Sequence, residues 1–234
     1  VADAVARLRQ AGAHPLFVTN MSRLTVAEQE AKLARHGIDA TGAVITSATA
    51  VGRLIRSGER VLVVGGPGVY EAVSAAGAEA VSAAAVSAAN AGAIDAVVVG
   101  MDPSFDYGQL TRAAAAVRGG ARLLATNTDA TYPTPGGLLP GAGAVLAAVE
   151  TASGVRAEVA GKPAAPVVEL IRERLGLDGI VAGDRADTDG LLAMRLGYRF
   201  GLVLSGVTAP SDLPVEPAPD RVAADLATLV DSYL

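Results

Sequence analysis

Apolar positions along the chain fall into two alternating patterns. Val1, Ala4, Val5 and Leu8 recur at helical spacing, and Gly12 ends the run. Pro15 to Thr19 is then a short stretch without polar alternation, as in a strand buried on both faces. The spacing predicts a helix from Ser22 to His36, capped by Ser22 and stopped by Gly37, then a strand at 44–46 and a helix over 49–56. Further strands are predicted at 60–64, 95–99, 121–125, 179–183, 200–204 and 221–222. Helices are predicted at 69–76, 110–117, 144–152, 164–175 with Pro163 in its first turn, up to Leu196, and at the end of the chain. Helix and strand alternating across short turns predict an α/β fold with a parallel sheet. Two stretches depart from that rhythm. Ala72 to Ala93 reads as one or two Ala-rich helices. Asn127 to Gly143, rich in Thr, Pro and Gly, reads as a long loop, which in a compact domain usually carries function.

Composition narrows the chemistry. The 234 residues suffice for one large domain or one and a half. Half of them (51%) are hydrophobic but only 3% are aromatic, so Ala, Val, Leu and Gly do the packing. There is no Cys, which excludes disulfides, thiolate metal sites and Cys nucleophiles. His14 and His36 are the only histidines, leaving little room for His-ligated metals or a Ser-His-Asp triad. Both fall at element ends and are expected on the surface. The net charge is −5 and no Lys/Arg run stands out, so no nucleic-acid partner is expected. No membrane span and no secretory signal are visible, and the expectation is a cytoplasmic protein.

Three features lie at the C-terminal ends of predicted strands, where open α/β sheets bind ligands. Thr19-Asn20-Met21-Ser22 offers a hydroxyl, a carboxamide and helix-start amides, groups that suit a phosphate; a plain capping role for Ser22 competes with that reading. Gly161-Lys162-Pro163 carries one of only two lysines in a chain that otherwise uses arginine as its cation. A compact ammonium suits a phosphoryl oxygen or a carboxylate in a tight site. Gly183-Asp184-Arg-Ala-Asp187-Thr188-Asp189 sets three carboxylates close together, which repel unless a cation sits among them. Mg²⁺ takes one or two carboxylates plus phosphate oxygens. The competing reading is a capping box built on Asp187 or Thr188, with Arg185 as local charge balance.

Together these features resemble the haloacid dehalogenase (HAD) superfamily of phosphotransferases. Thr19-Asn20 is similar to its second motif, Lys162 to its third and Gly183-Asp184…Thr188-Asp189 to its fourth. Gly100 to Tyr107, Ala125 to Thr134 and Gly136 to Gly143 are similar to the large cap of the NagD-like, nitrophenyl-phosphatase subfamily. The resemblance implies a Rossmann-like parallel-sheet core (1–57 and 155–234) with an inserted α/β cap (58–154). It implies a Mg²⁺-dependent phosphatase acting on small phosphomonoesters through an aspartyl-phosphate. Thr19, Asn20 and the Met21 amide would bind the phosphoryl group. Lys162 would neutralise charge on it, and Thr19 and Lys162 would share in catalysis. Asp184 would ligate Mg²⁺ with Asp189 behind it, and Asn127 and Tyr132 in the cap would contact substrate. A homodimer through the cap is also expected.

One departure matters. The family's first motif, Asp-x-Asp-Gly after the first strand, is not in these residues. Asp187-Thr-Asp189-Gly190 has the letters but belongs to the fourth motif. The resemblance therefore implies a strand and nucleophile loop ahead of the helix at Val1, so that the chain is N-terminally shortened. As it stands, it is expected to bind Mg²⁺ poorly and to lack a covalent route. The alternative is a non-catalytic phosphate-binding or regulatory module of the same fold. Val64-Gly-Gly-Pro-Gly68 lacks the spacing of a dinucleotide-binding turn and reads as a tight turn.

Overall fold

The computed structural model describes residues 1–87, 91–134 and 136–234. In chain order the regular elements are α1 (Ala2–Gln10), β1 (Phe17–Thr19), α2 (Val26–Ala34), β2 (Val44–Thr46), α3 (Ser47–Val51), β3 (Arg60–Val64), α4 (Pro67–Ala75) and β4 (Glu79–Ser82). There follow β5 (Ala96–Val99), α5 (Tyr107–Arg118), β6 (Arg122–Ala125), β7 (Thr131–Thr134), β8 (Gly137–Pro140), α6 (Ala142–Ser153) and β9 (Glu158–Val159). The remainder is α7 (Ala165–Leu175), β10 (Ile180–Gly183), α8 (Leu191–Leu196), β11 (Arg199–Val203), β12 (Arg221–Ala223) and α9 (Leu226–Asp231). Strand–helix alternation is thus the rule, and the fold is α/β with parallel sheets. No helix among the described residues is long and apolar enough to cross a membrane.

The chain divides into two compact units. Val1–Phe17, Glu30–Val44 and Lys162–Leu234 form the first; Val18–Gln29 and Ile45–Gly161 form the second. In the first unit, β10, β11 and β12 make a parallel sheet in that order. Phe200 and Leu202 pack there with Ala186 and Ala193. α7 buries Val167, Val168, Leu170 and Ile171, and α1 packs on α9 through a face that buries Ala4 and Val5. Gly37, where α2 was expected to stop, has φ +74°, which glycine adopts without the steric penalty of a Cβ.

The second unit holds a five-stranded, all-parallel sheet in the order β4-β3-β5-β6-β9. β5 is buried along its whole length and β3 along all but its first residue, which explains their unbroken Val-rich sequences. Leu62, Val64, Val97, Val99 and Leu123 form the core with Ala113, Ala116 and Val117 of α5 and Leu146 and Val149 of α6. Asp106 caps α5 by accepting from Gln109 N at 2.7 Å. At the sheet's start, Arg122 donates to both carboxylate oxygens of Glu59, at 2.8 and 2.7 Å, and to Leu54 O.

Five expectations change. Asn127 to Gly143 is not a plain loop, because β7 and β8 pair antiparallel within it; Pro135, between them, lies outside the described residues. Both faces of this ribbon are largely exposed, so its sequence carries no apolar alternation to read. The Ala-rich tract 72–93 contains β4, where pairing to β3 overrides the helix preference of Ala; residues 88–90 of that tract lie outside the description. Ser22 does not cap α2. It is fully buried, its Oγ accepts from Met101 N at 3.0 Å, and the capping box is Thr25 with Glu28. The proline in the first turn of α7 is Pro166, not Pro163. β10 is apolar but not buried: it is an edge strand, and Ile180 keeps 37% of its surface exposed.

The exchange of roles between Ser22 and Thr25 has a measurable sign. Ser22→Ala leaves the Met101 amide without its acceptor and should cost about 1–3 kcal/mol, whereas Thr25→Ala removes an exposed cap worth about 1 kcal/mol. Urea unfolding of the two variants checks this, and a larger loss for Thr25→Ala would contradict the assignment.

Candidate active site

β1 ends at Thr19, within the second unit, and the backbone of Asn20 just after it is held from several sides. The Asn20 carbonyl accepts from Ser47 Oγ at 2.6 Å and from Asn127 Nδ2 at 2.7 Å. The Asn20 carboxamide donates to the Asp129 carboxylate at 3.2 Å, and Asn127 Oδ1 accepts from Asp129 N at 3.0 Å. Asn127 is 3% exposed, so it positions Asn20 and Asp129 from beneath and presents no open face. Met21 N donates to Thr19 Oγ1 at 3.1 Å, so the amide expected for phosphate already has an acceptor. Gly161 packs so closely here that a Cβ would lie 2.4 Å from Thr126 O and 2.7 Å from Asn20 Oδ1. Tyr132 stands on β7 opposite Leu139 and lines a cavity of about 430 Å³ with Met101 and Phe105.

The first unit contains the lysine and the acidic turn. Lys162 Nζ lies 2.7 Å from Asp189 Oδ1, with side-chain exposures of 14% and 8%. The other Asp189 oxygen accepts from Arg185 N at 3.2 Å. Asp189 sits against Gly183, where any Cβ would meet its carboxylate at 2.2 Å, so a glycine is required before Asp184. Asp184 follows at the end of β10 and is tied to the loop after β11. Its Oδ2 accepts from Val207 N at 2.7 Å and its carbonyl from Thr208 Oγ1 at 2.6 Å. Gly206 is pressed onto the same carboxylate, at 2.0 Å from a would-be Cβ.

The three crowded carboxylates therefore find separate partners. Asp189 pairs with Lys162, and Arg185 makes a two-pronged pair with Asp187 at 3.0 and 2.7 Å. That guanidinium holds the Asp187 carboxyl below its usual range. Arg185 is the local charge balance expected for it, and neither Asp187 nor Thr188 caps the following helix: both lie inside a π turn at Ala186–Gly190, and α8 begins after Gly190 with no side-chain cap. His14 and His36 are exposed.

The structure thus joins Thr19, Asn20, Met21 and Asn127 in one unit, and Lys162 with the Asp184–Asp189 turn in the other. Ser47 and Asp129 were not anticipated. Ser47 follows a predicted strand directly, and Asp129 stands two residues from Asn127, so position after a strand was the only available signal.

As to metal, no cluster of three or more His, Cys, Asp or Glu among the described residues could hold an ion. Asp189 has both oxygens engaged, which leaves Asp184 as the carboxylate suited to a hard cation. Mg²⁺ takes one or two protein carboxylates with phosphate oxygens and water, so these residues fit part of its shell.

Fold alone does not set an activity; comparison with known proteins places this α/β chain among the hydrolases. The haloacid dehalogenase-like hydrolase family matches residues 1–79, and a second HAD-hydrolase-like family matches residues 159–229. The chain is 37% identical to D-glycerol 3-phosphate phosphatase of Mycobacterium tuberculosis over 97% of its own length and 65% of the relative's. It is 35% identical to human chronophin, over 97% of this chain and 80% of that one. Among solved structures, a p-nitrophenyl phosphatase from Archaeoglobus fulgidus superposes with a TM-score of 0.87 at 27% identity, covering 99% and 90% of the two chains. The mycobacterial glycerol phosphate phosphatase in complex with magnesium does so with a TM-score of 0.87 at 35% identity, covering 97% and 69%. The chain belongs to the haloacid dehalogenase-like hydrolase family. It spans about two thirds of the mycobacterial relative's length.

The Lys162–Asp189 pair gives a direct test of the site's construction. Lys162→Met leaves a carboxylate in low-dielectric surroundings and should cost about 3 kcal/mol, with Lys162→Met/Asp189→Leu recovering part of the loss. Denaturant unfolding of the single and double variants measures the coupling. Strict additivity would mean that the pair is not formed in solution.

Proposed function

We propose that these residues are the larger part of a magnesium-dependent phosphatase for small phosphomonoesters. The observation that carries the reading is the buried Lys162–Asp189 pair set beside the Gly183-Asp184 turn. Phosphoryl transfer needs positioned cations more than covalent machinery from the binding groups. Lys162, oriented by Asp189, neutralises charge on the transferring phosphoryl group. Asp184 would hold the magnesium ion, and Asp189, with both oxygens engaged, would support the turn instead. Magnesium held there would supply neutralising charge to the phosphoryl oxygens.

In this proposal the Thr19 hydroxyl donates a hydrogen bond to a phosphoryl oxygen while its Oγ1 accepts from Met21 N. Asn20 lines the group under the control of Ser47, Asn127 and Asp129. Tyr132, on the exposed hairpin, contacts the organic part of the ester. The inserted cap of the reading comprises 58–154. The fold carries β9, at 158–159, as the last strand of the same sheet, so the proposed boundary falls in the connection before it.

The proposal assigns the nucleophile to an Asp-x-Asp segment outside these 234 residues. Its support is β10, an apolar strand with one edge unpaired among the described residues and its first residue exposed, as expected where a further strand pairs.

The 234 residues alone should release no phosphate from p-nitrophenyl phosphate or glycerol 3-phosphate in the presence of Mg²⁺. A chain carrying a strand and an Asp-x-Asp loop ahead of residue 1 should turn both over. In that active form, Asp184→Asn should abolish the response to Mg²⁺ and Lys162→Met should lower kcat about 10²–10³-fold. Robust turnover by the 234 residues themselves defeats the assignment of the nucleophile. If neither form turns over while both bind phosphate, the protein is the non-catalytic module.

A further inference from the structure

The five-stranded sheet of the second unit reverses its order between β3 and β5: the chain runs from β3 outward to β4, then returns to β5 on the other side. In open parallel sheets the crevice beyond the carboxyl ends of the strands at such a reversal is where ligands bind. A cavity of about 670 Å³ occupies that position, walled by the turns after β3, β4 and β5. The Val64-Gly-Gly-Pro-Gly68 turn forms one wall, though not as an amide cradle. Pro67 has no N–H, Gly68 N donates to Arg23 O at 2.9 Å and Val69 N to Gly66 O at 3.0 Å. Recognition there falls on side chains.

Two arginines, Arg23 and Arg112, line the cavity together with Gln109, Tyr70, Asp102 and Asp106. Arg23 is laid across Gly66, where a Cβ would collide with its backbone carbonyl at 2.7 Å. Two of the lining groups are unsatisfied. Arg112 Nε and Gln109 Oε1 are buried with no hydrogen-bond partner, a condition that folded proteins largely avoid. Both residues belong to the first turns of α5 and line one wall of the cavity; the two atoms are closed off as they stand and come within reach of a ligand when the Arg112 and Gln109 side chains change rotamer. Asp102 and Asp106 each use Oδ1 internally, on Ser104 and on Gln109 N. Burial, aided by the charge of Asp102, raises the pKa of Tyr70 and keeps its hydroxyl a donor.

We propose that this cavity is a second ligand site, for a small oxyanion (phosphate or carboxylate) that also carries hydroxyl groups. The guanidiniums take the anion in the forked geometry that arginine provides, and the two carboxylates accept from the hydroxyls, joined by Gln109 Oε1 once its side chain turns into the cavity. The cavity lies wholly within the second unit and does not depend on the phosphatase reading.

The test is a backbone-amide NMR titration of the 234-residue protein with inorganic phosphate, ribose 5-phosphate and gluconate. The sugar phosphate or the sugar acid should bind more tightly than inorganic phosphate and shift the amides of Gly65, Asp102 and Gln109; which of the two binds more tightly identifies the anion. Arg112→Met should weaken that binding at least 10-fold and Gln109→Met severalfold, with a Tm equal to or above the parent, because each removes an unsatisfied buried group. The proposal is overturned if none of the three probes shifts these amides at roughly 10 mM, or if Gln109→Met and Arg112→Met bind as the parent does. A lowered Tm in both variants with binding retained in either would equally overturn it and make these side chains structural.

Discussion

An ammonium and a carboxylate, both nearly removed from water and 2.7 Å apart, fix the geometry of the first unit's acidic turn. A buried ion pair adds little net stability, because desolvation offsets most of the attraction. It does, however, punish every arrangement in which one partner is left alone. Asp189 answers to Lys162 through one oxygen and to the Arg185 amide through the other. The turn between them is thereby set, and with it the direction in which Asp184 leaves β10. Gly183 and Gly206 complete the constraint from either side, since neither position has room for a side chain. The lysine stands out in a chain that otherwise relies on arginine, and its place explains the choice. A single compact charge fits beside Asp189 where a planar fork would need more space.

Much of the fold was legible because its core strands are covered on both faces. Arg60–Val64 and Ala96–Val99 read as strands on composition alone, and the structure places them there. The segments that misled are those where burial and periodicity part company. β8 is exposed along its length, β7 is at most half-buried on one face, and both carry prolines, so little in their order of polar and apolar residues marks a ribbon. β4 is an edge strand made of residues that would equally suit a helix, and only its pairing with β3 decides. β10 erred the other way, with a core-like sequence on an exposed edge.

The site divides in the same manner. Lys162, Asp184 and Asp189 were visible because charge in an apolar chain is conspicuous and follows a strand. The supports of Asn20 were harder to see. Ser47 and Asp129 act by hydrogen bonds to residues 27 and 109 positions away, and no local spacing reports such pairings. Ser22 shows how a correct residue can be given the wrong task. Its position suits a cap, but complete burial makes it the acceptor for Met101 instead.

Residues 18–29 belong to the same compact unit as the five-stranded sheet. Asn127 and Ser47 hold the Asn20 carbonyl, Ser22 holds Met101, Gly68 bonds to Arg23 and Glu71 to Val26. The sheet is consequently not a cassette that recombination could exchange by cutting at its two flanks. A graft of 45–161 from a relative would arrive without the strand end its own side chains were shaped to grip. A substitution in 45–161 that disturbs Ser47, Asn127 or Asp129 therefore reaches the Thr19-Asn20 loop directly.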